Sequence, residues 1–405
     1  MIISNSLSRR ELLRNGTAFG SAIALGLLGQ SEAMAAPVKM PIGVGTHTMA
    51  GPLILKMQKE KMIETAASQL GFEISADYQD FQALLRMLQA VAAGQLQYGM
   101  LGSTPNIRLL ASSEPAVPIA IAGGGLDFPL QVPADSSIRN MEDLKGKTVL
   151  TLVGSDLHLA FNNMVKAYFG TDDINSLGIK LKNISAVTEL FERQSGIDAY
   201  VGFEPASSGA AERGILKTLL HNNGTTGPHY DGPEGQGEGH ELAWFKNADY
   251  YPDGFYPHRI WWVVRRQFLK KHPEAVTAFL AANQRAAVVL KNTSEEAIVD
   301  LIGDHWKGSS AAKRMVVEQT LWRRRGWIWV TEGDAETLVG LSKIKSIFEK
   351  ELTGNQVRNI VGEGAEVARR AYELVNEQPP EAVFTDPNAK DVRGLPPWEY
   401  RSWKI

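Results

Sequence analysis

The chain contains no cysteine among its 405 residues. That absence excludes thiolate metal sites, a cysteine nucleophile, iron–sulfur clusters and structural disulfides. Long basic runs are also missing, and the 42 Lys and Arg residues are offset by 45 Asp and Glu residues. A protein that binds nucleic acid normally carries a positive footprint, so we expect no nucleic-acid partner. The composition, with 44% hydrophobic residues, is that of an ordinary globular protein.

The common enzyme motifs are absent as well. The sequence has no His-Glu-x-x-His pair, no phosphate-binding P-loop and no Gly-x-Ser-x-Gly elbow. We therefore expect no catalytic residue, no metal and no cofactor. Several His, Asp and Glu residues in a glycine-rich stretch could instead gather a cation, although solvated side chains are favoured there. They are His221, His229, Asp231, Glu234, Glu238, His240 and Glu241.

The N-terminus has the layout of an export signal. Arg9 and Arg10 precede an apolar stretch over residues 17–28, and Ala33-Met34-Ala35 follows it. A basic start, a short apolar region and an Ala-x-Ala site are typical of a cleaved signal peptide, and the arginine pair favours the twin-arginine type. A cytosolic amphipathic helix is the alternative. We expect a soluble, untethered periplasmic protein, because no other segment has the roughly 20 apolar residues needed to cross a membrane.

Strand patterns alternate with helix patterns over residues 40–203. One of the predicted helices has a buried face that runs from Leu55 to Leu70. This alternation predicts an α/β fold with largely parallel strands covered on both faces. The pattern restarts near Met141, which indicates two α/β lobes with a cleft between them. Residues 222–242 contain six glycines and predict a surface loop.

Helices dominate the predicted structure from Pro273 to about Val375. We therefore expect a two-lobed chain with helical C-terminal additions. The expected parts are a signal peptide (1–35), the start of lobe 1 (36–130), lobe 2 (131–256), the return to lobe 1 (257–378) and an extended tail (379–405).

Three predicted strands end in short turns that lead into helices. These turns contain Thr46 and His47, then Gly102, Ser103 and Thr104, and finally Gly154 and Ser155. Ligands in open α/β sheets bind at the carboxyl ends of strands, and helix N-termini present N–H groups that favour oxyanions. The turns are therefore candidate anion-binding loops. The alternative is that the hydroxyl groups only cap their own helices.

Four segments of the sequence are informative together: Tyr98-Gly-Met-Leu-Gly-Ser-Thr-Pro105, Asn140-Met-Glu-Asp-Leu-Lys-Gly-Lys-Thr148, Asp198-Ala-Tyr-Val-Gly-Phe-Glu-Pro205 and Phe268-Leu-Lys-Lys-His-Pro-Glu274. In this order they resemble the periplasmic substrate-binding proteins of nitrate/sulfonate/taurine-type ABC importers. The resemblance implies a periplasmic binding protein fold of type II, whose lobes close on a ligand about hinges near residues 127–132 and 255–260. It also implies ligand loops at Thr46-His47, Ser103-Thr104, Ser155 and around Phe203, and delivery to a membrane permease with its ATPase. Phe203 stands where the family often has Trp, and the loop at 222–242 is longer than usual.

Two charged residues complete the candidate site. Glu204 either caps the helix that follows Pro205 or receives a ligand ammonium group. Arg259 either pairs with an anionic ligand or forms a salt bridge between the lobes. His47, His258 and Arg259 would add positive potential near the ligand.

The ligand expected from these groups is a small organic sulfonate or carboxylate. Phe203 and Tyr256 offer flat apolar surface, so the ligand could include an aromatic ring. We expect the protein to act as a monomer. The alternatives are an enzyme on the same fold, similar to those of pyrimidine synthesis, and a ligand-sensing partner of a signalling receptor.

Overall fold

Two five-stranded sheets organise the part of the chain that the computed structural model describes, which is residues 36–375 without 83, 113–115, 331, 345 and 346. A small two-stranded hairpin lies outside both sheets. The strands are β1 (Val38–Val44), β2 (Ile74–Asp80), β3 (Tyr98–Gly102), β4 (Ala116–Gly124), β5 (Leu130–Pro133), β6 (Thr148–Thr151), β7 (Lys180–Asn183), β8 (Ala199–Val201), β9 (Leu216–Leu220), β10 (Asp231–Gly232), β11 (Gly235–Gln236) and β12 (Arg259–Arg265).

The first sheet has the strand order β2-β1-β3-β12-β4. Strands β1, β2 and β3 are parallel, whereas β12 runs antiparallel to both of its neighbours. Every residue of β3 and β4 is buried, as expected for strands covered on both faces. Trp261 and Trp262 project to opposite faces of β12, and both are fully buried in the core.

The second sheet has the order β7-β6-β8-β5-β9, in which β6, β7 and β8 are parallel and β5 is antiparallel to its neighbours. The chain reaches this sheet between Gly124, where β4 ends, and Leu130, where β5 begins. It returns to the first sheet at Arg259, where β12 begins. The predicted α/β class is confirmed, while the exact domain boundaries and the hinge motion stay predictions.

Helices cover the sheets and form most of the chain after residue 265. The predicted helical region from Pro273 to Val375 is confirmed. The helices are α1 (Gly51–Lys59), α2 (Met62–Gln69), α3 (Leu84–Ala92), α4 (Ser103–Ala111), α5 (Asp156–Phe169), α6 (Ala206–Glu212), α7 (Arg266–Lys271), α8 (Pro273–Lys291), α9 (Glu295–Ile302), α10 (Ser310–Gln319), α11 (Leu321–Arg325), α12 (Glu332–Ser342), α13 (Gly354–Gly362) and α14 (Ala365–Val375).

Two local expectations need correction. The helix predicted from Leu55 to Leu70 is interrupted, because Lys61 adopts a left-handed backbone conformation with φ 48° between α1 and α2. A residue in that conformation cannot continue a right-handed helix. The loop at 222–242 contains the antiparallel hairpin β10–β11, which closes at Gly232 and Gly235.

The carboxyl ends of the parallel strands lie at one edge in each sheet. In the first sheet this edge carries the turns after β1, β2, β3 and β4, together with the amino end of β12. In the second sheet it carries the turns after β6, β7, β8 and β9. The two edges face each other, because Asp156 at the start of α5 accepts a hydrogen bond from Thr104 in α4. A second bridge joins Glu212 of α6 to Ser309, whose backbone N–H lies 3.2 Å from the carboxylate.

The predicted signal peptide (1–35) and tail (379–405) lie outside the described residues. Among the helices that are described, none is both long and apolar enough to span a membrane.

Candidate functional site

The turn after β1 is held by hydrogen bonds within the first sheet. The Thr46 backbone N–H donates to Asp80 Oδ1 over 3.0 Å, and its hydroxyl donates to Asp80 Oδ2 over 2.6 Å. The same hydroxyl oxygen lies 2.8 Å from His305 Nδ1 and accepts a hydrogen bond from it. His47 beside it has no partner for Nδ1 among the described residues. Burial lowers the pKa of His47, although the Asp80 carboxylate opposes that shift.

Replacement of Thr46 by Val should lower the free energy of unfolding by about 1–2 kcal/mol, because it removes the hydroxyl bonds to Asp80 and His305. Thr46→Ser keeps the hydroxyl and should recover most of that loss. Urea unfolding of the two variants beside the parent protein measures the difference. Equal stability of Thr46→Val and the parent would contradict this account of the turn.

The turn after β3 already holds a carboxylate. The Thr104 backbone N–H at the start of α4 donates to Asp156 Oδ1 over 2.8 Å. Gly102 makes room for that group, since a Cβ atom there would lie 2.0 Å from Asp156 Oδ2. Ser103 is fully buried, and its hydroxyl oxygen accepts a bond from Trp261 Nε1 over 3.3 Å. The structure thus places Gly102, Ser103 and Thr104 where the two sheets meet.

Buried polar groups surround this carboxylate. The Tyr256 hydroxyl lies near Ser103, Thr104 and Asp156, but makes no hydrogen bond of normal geometry within the described chain. Burial raises the pKa of Tyr256 well above its usual value, so the hydroxyl keeps its proton and can donate. The Thr104 hydroxyl is also without a partner in the part of the chain that is described. Both groups could bind a further polar molecule.

His258 does not supply the expected positive charge. Its side chain is 5% exposed, and burial together with neighbouring Arg259 lowers its pKa to about 3. Nε2 lies 4.0 Å from Asp156 Oδ2, which is too far for a hydrogen bond. Burial also raises the pKa of Asp156, against the hydrogen bond from Thr104. His258 is therefore neutral at neutral pH.

The turn after β6 caps its own helix. Ser155 is the N-cap of α5, and its hydroxyl oxygen accepts a bond from the Leu157 N–H over 3.2 Å. Gly154 adopts a left-handed conformation with φ 78°, and a Cβ atom there would lie 3.0 Å from Arg108 Nη2. Arg108 projects from α4, the helix that follows β3 of the first sheet. Its guanidinium group therefore lies over the turn at Gly154 of the second sheet.

Glu204 also acts as a cap. Its Oε2 accepts a bond from the Ser208 N–H over 3.0 Å at the start of α6. Burial, together with the nearby Asp127, raises the pKa of Glu204 to about 7. Asp127 in turn lies 2.6 Å from His221 Nδ1. Although burial opposes the charge, the Asp127 carboxylate raises the pKa of His221 to about 8.

Phe203, which follows β8 of the second sheet, packs against neighbouring apolar side chains and is not fully exposed. Its ring makes an edge-to-face contact with Phe191, with the ring centroids 5.1 Å apart. The side chain remains partly exposed. Phe203 therefore retains some apolar surface for a ligand, while Tyr256 is fully buried.

Arg259 forms a buried ion pair, but the pair does not join the two sheets. Its Nε donates to Asp334 Oδ1 over 2.6 Å, and Nη1 donates to the His258 carbonyl over 2.9 Å. Asp334 lies on α12, which packs against α4 beside the same first sheet. The expected bridge between lobes is therefore replaced by a bridge within one of them. Nη2 is without a partner among the residues described.

A cavity of about 360 Å³ lies where the chain crosses between the sheets. Its walls include Asp127 from the first crossing, and Tyr256, His258 and Arg259 from the second. Arg324, at the end of α11, contributes a further guanidinium group. Polar and charged side chains line this cavity directly beside the buried cluster around Asp156.

The histidines and acids of the glycine-rich loop do not form a cation site. His221 binds Asp127, and His229 Nδ1 lies 2.8 Å from Arg139 Nη1. Nowhere in residues 36–375, as far as these are described, do three or more His, Asp or Glu side chains gather as metal ligands.

Sequence reasoning missed Asp156, Asp127 and Arg108. Asp156 directly follows Ser155 of a predicted ligand loop and lies in the first turn of α5. That position was the one feature of the sequence that could have marked it as a site residue. An acidic residue there normally stabilises its own helix. Here the carboxylate instead reaches the N-terminus of α4, a contact between residues 52 positions apart.

Solved structures with the same architecture come from several organisms. The alkanesulfonate-binding protein of Xanthomonas axonopodis pv. citri, bound to MOPS, matches with a TM-score of 0.56 and 15% identity, covering 80% of this chain and 98% of that one. The periplasmic nitrate-binding protein of Synechocystis PCC 6803 matches at 0.57 and 12%, covering 84% and 89%. A Candida albicans protein described as having the generic periplasmic binding protein fold matches at 0.55 and 8%, covering 82% and 96%.

Identities this low establish the fold alone, and the predicted periplasmic binding protein fold is confirmed. None of the curated proteins matches the chain significantly in sequence. A family model described as "NMT1/THI5 like" matches residues 74–297, which is more than half of the chain. The chain therefore belongs to the NMT1/THI5-like family.

Proposed function

We propose that this chain is the solute-binding component of an ABC importer. It captures a small organic sulfonate or carboxylate between the two sheets and delivers it to a membrane permease and its ATPase. It works in the periplasm as a monomer, after export by a twin-arginine-type signal. The ligand head lies at the N-terminus of α4, beside Ser103 and Thr104.

One observation carries this proposal. The Thr104 N–H already donates to a carboxylate, that of Asp156, at the place where the two sheets meet. Helix N-termini favour anions because their N–H groups are free and the helix dipole is positive there. The unpartnered hydroxyls of Thr104 and Tyr256 add two donors for an oxyanion. Arg108 adds positive charge one turn along the same helix.

The named neighbours support the ligand class. Two of the structures that share this fold are described as an alkanesulfonate-binding protein and a nitrate-binding protein. Nitrate has no apolar surface to bury, whereas the ring of Phe203, which follows β8 and packs against Phe191, is partly exposed and could contact an organic ligand. An organic anion would use that ring, which favours a sulfonate or carboxylate over an inorganic ion.

The test is a ligand panel measured by thermal shift and isothermal titration calorimetry. The panel contains methanesulfonate, benzenesulfonate, acetate, benzoate and nitrate. At least one organic anion should bind once per chain and stabilise the protein by RT ln(1 + [L]/Kd), or about 1.4 kcal/mol at tenfold excess over Kd. A response to nitrate alone would overturn the ligand class.

The Thr104→Val variant tests whether the ligand binds beside Thr104. It should weaken binding of the responding anion by about 10- to 100-fold, since a hydrogen bond to a charged group is worth roughly 1.5–3 kcal/mol. Stability without ligand should fall little, because this hydroxyl lies beside Asp156 without a hydrogen bond of normal geometry to the described chain. Thr65→Val, on the exposed face of α2, is the matched control and should leave the affinity unchanged. Undiminished affinity in Thr104→Val would move the ligand elsewhere.

The competing function is an enzyme on the same fold. Mass spectrometry of the bound anion after prolonged incubation separates the two functions: an unaltered ligand supports transport, and a product reverses the assignment. A sensor that partners a signalling receptor would share the binding site and differ only in the proteins that dock on it.

A further inference from the structure

We propose that Asp156 is a specificity-determining residue, an internal anion that competes with the solute for the N-terminus of α4. The inference rests on the proposed function, since it concerns the same binding site. An anion from solution must displace the Asp156 carboxylate, so Asp156 lowers the affinity of the site and restricts it to anions that bind strongly.

The position of the carboxylate is the first reason. Asp156 Oδ1 accepts the Thr104 N–H over 2.8 Å, and Oδ2 fills the space in front of Gly102. An oxyanion ligand of the kind proposed would use this same N–H group and this same space. Both cannot be occupied at once, because a side chain at Gly102 as small as a methyl group would already collide with the carboxylate.

Unused hydrogen-bonding capacity around the carboxylate is the second reason. Thr104 and Tyr256 are both fully buried, and their hydroxyls lie beside Asp156 without a hydrogen bond of normal geometry among the described residues. The two oxygens of Asp156 therefore leave part of the site unsatisfied. A sulfonate, which has three oxygens, could satisfy these donors together with the Thr104 N–H. The arrangement suits a larger oxyanion than the one that occupies it.

Electrostatics is the third reason. Asp156 is 8% exposed and forms no ion pair with a Lys or Arg side chain among the described residues. The nearest histidine nitrogen, His258 Nε2, is 4.0 Å away and belongs to a ring that is neutral at neutral pH. A second anion beside an ionised Asp156 would be repelled at low dielectric. A solute can therefore enter only when the Asp156 side chain leaves the end of α4. The Asp156 carboxylate and the solute compete for the same N-terminus of α4. Removing the negative charge of Asp156 should therefore strengthen binding of the solute.

The decisive variant is Asp156→Asn, which keeps an oxygen acceptor for Thr104 and removes the charge. Methanesulfonate and inorganic sulfate serve as probes, and isothermal titration calorimetry gives their Kd values for the full chain. The expected result is at least about tenfold tighter binding in Asp156→Asn. Asp173→Asn is the matched control, since it removes one exposed helix-capping carboxylate far from this interface and should leave both Kd values unchanged.

The outcomes separate this inference from the proposed function. Binding to the parent protein without tightening in Asp156→Asn overturns the competitor role and leaves the solute-binding function standing. Binding to Asp156→Asn alone supports the competitor role. Absence of binding of either probe to both proteins overturns the competitor role, and the solute-binding function is then decided by the ligand panel described above. Asp156→Ala provides a second route if the first variant does not fold, because it removes the carboxylate and leaves the space in front of Gly102 open, and it should also bind methanesulfonate more tightly than the parent.

Discussion

Asp334→Ala should lower the free energy of unfolding by about 3–5 kcal/mol, because it leaves a buried guanidinium group without its counter-charge. Arg259 is 1% exposed and Asp334 is fully buried, with 2.6 Å between Nε and Oδ1. The remaining bond from Nη1 to the His258 carbonyl cannot neutralise the charge. Chemical denaturation at neutral pH measures the loss.

The matched control is the exposed ion pair between Lys166 and Asp249, whose side chains are each 45% exposed. Asp249→Ala should cost about 0.5 kcal/mol or less, since solvent and salt screen such pairs. A loss below about 1 kcal/mol in Asp334→Ala would mean that the site relaxes or hydrates, and that the Arg259 charge is not held by this pair alone.

Acidification from about pH 7 to about pH 4 should destabilise the protein by about 3 kcal/mol through His258 alone. The pKa of this residue is lowered from 6.5 to about 3 in the folded chain, by burial and by Arg259. The unfolded chain therefore binds a proton below about pH 6.5 while the folded chain does not. The stabilisation is complete above that pH and is lost as the pH falls toward 3.

Urea unfolding across this pH range, on the parent protein and on His258→Gln, isolates the effect. The variant should lose about 3 kcal/mol less than the parent over the same interval, whatever its stability at neutral pH. His240→Gln, at an exposed position in the glycine-rich loop, controls for the loss of a histidine as such. Parallel curves for the parent and His258→Gln would show that His258 does not titrate as a buried group.

Local patterns carried much of the fold. Strands such as β4 and β12 are continuous apolar runs, and the turns at Gly102-Ser103 and Gly154-Ser155 begin helices as their residue types predict. Strand order was harder to predict, because β12 pairs with strands that lie far away in sequence. The short strand β5 follows the first crossing, and its four residues are too few to show a clear periodicity.

The candidate site was predicted only in part. The turns at Thr46 and Ser103 do lie at the edge that faces the second sheet, and that follows from strand polarity. The partners of these residues do not follow from sequence: Thr46 binds Asp80 and His305, and Thr104 binds Asp156. Each of these contacts joins two different secondary-structure elements, so the spacing of the residues along the sequence does not predict the contact. The charge state of His258 depends on burial, which is likewise a property of the folded chain.

The central place of β12 in the first sheet has a consequence for how the protein is made. All five strands of the second sheet leave the ribosome before β12 does, although the first four strands of the first sheet leave earlier still. Until β12 arrives, β3 and β4 lack the strand that separates and pairs them, and their edges are open to wrong partners. Pairing over such sequence distances is slow. The half of the molecule that is synthesised first is therefore the half that can be completed only last.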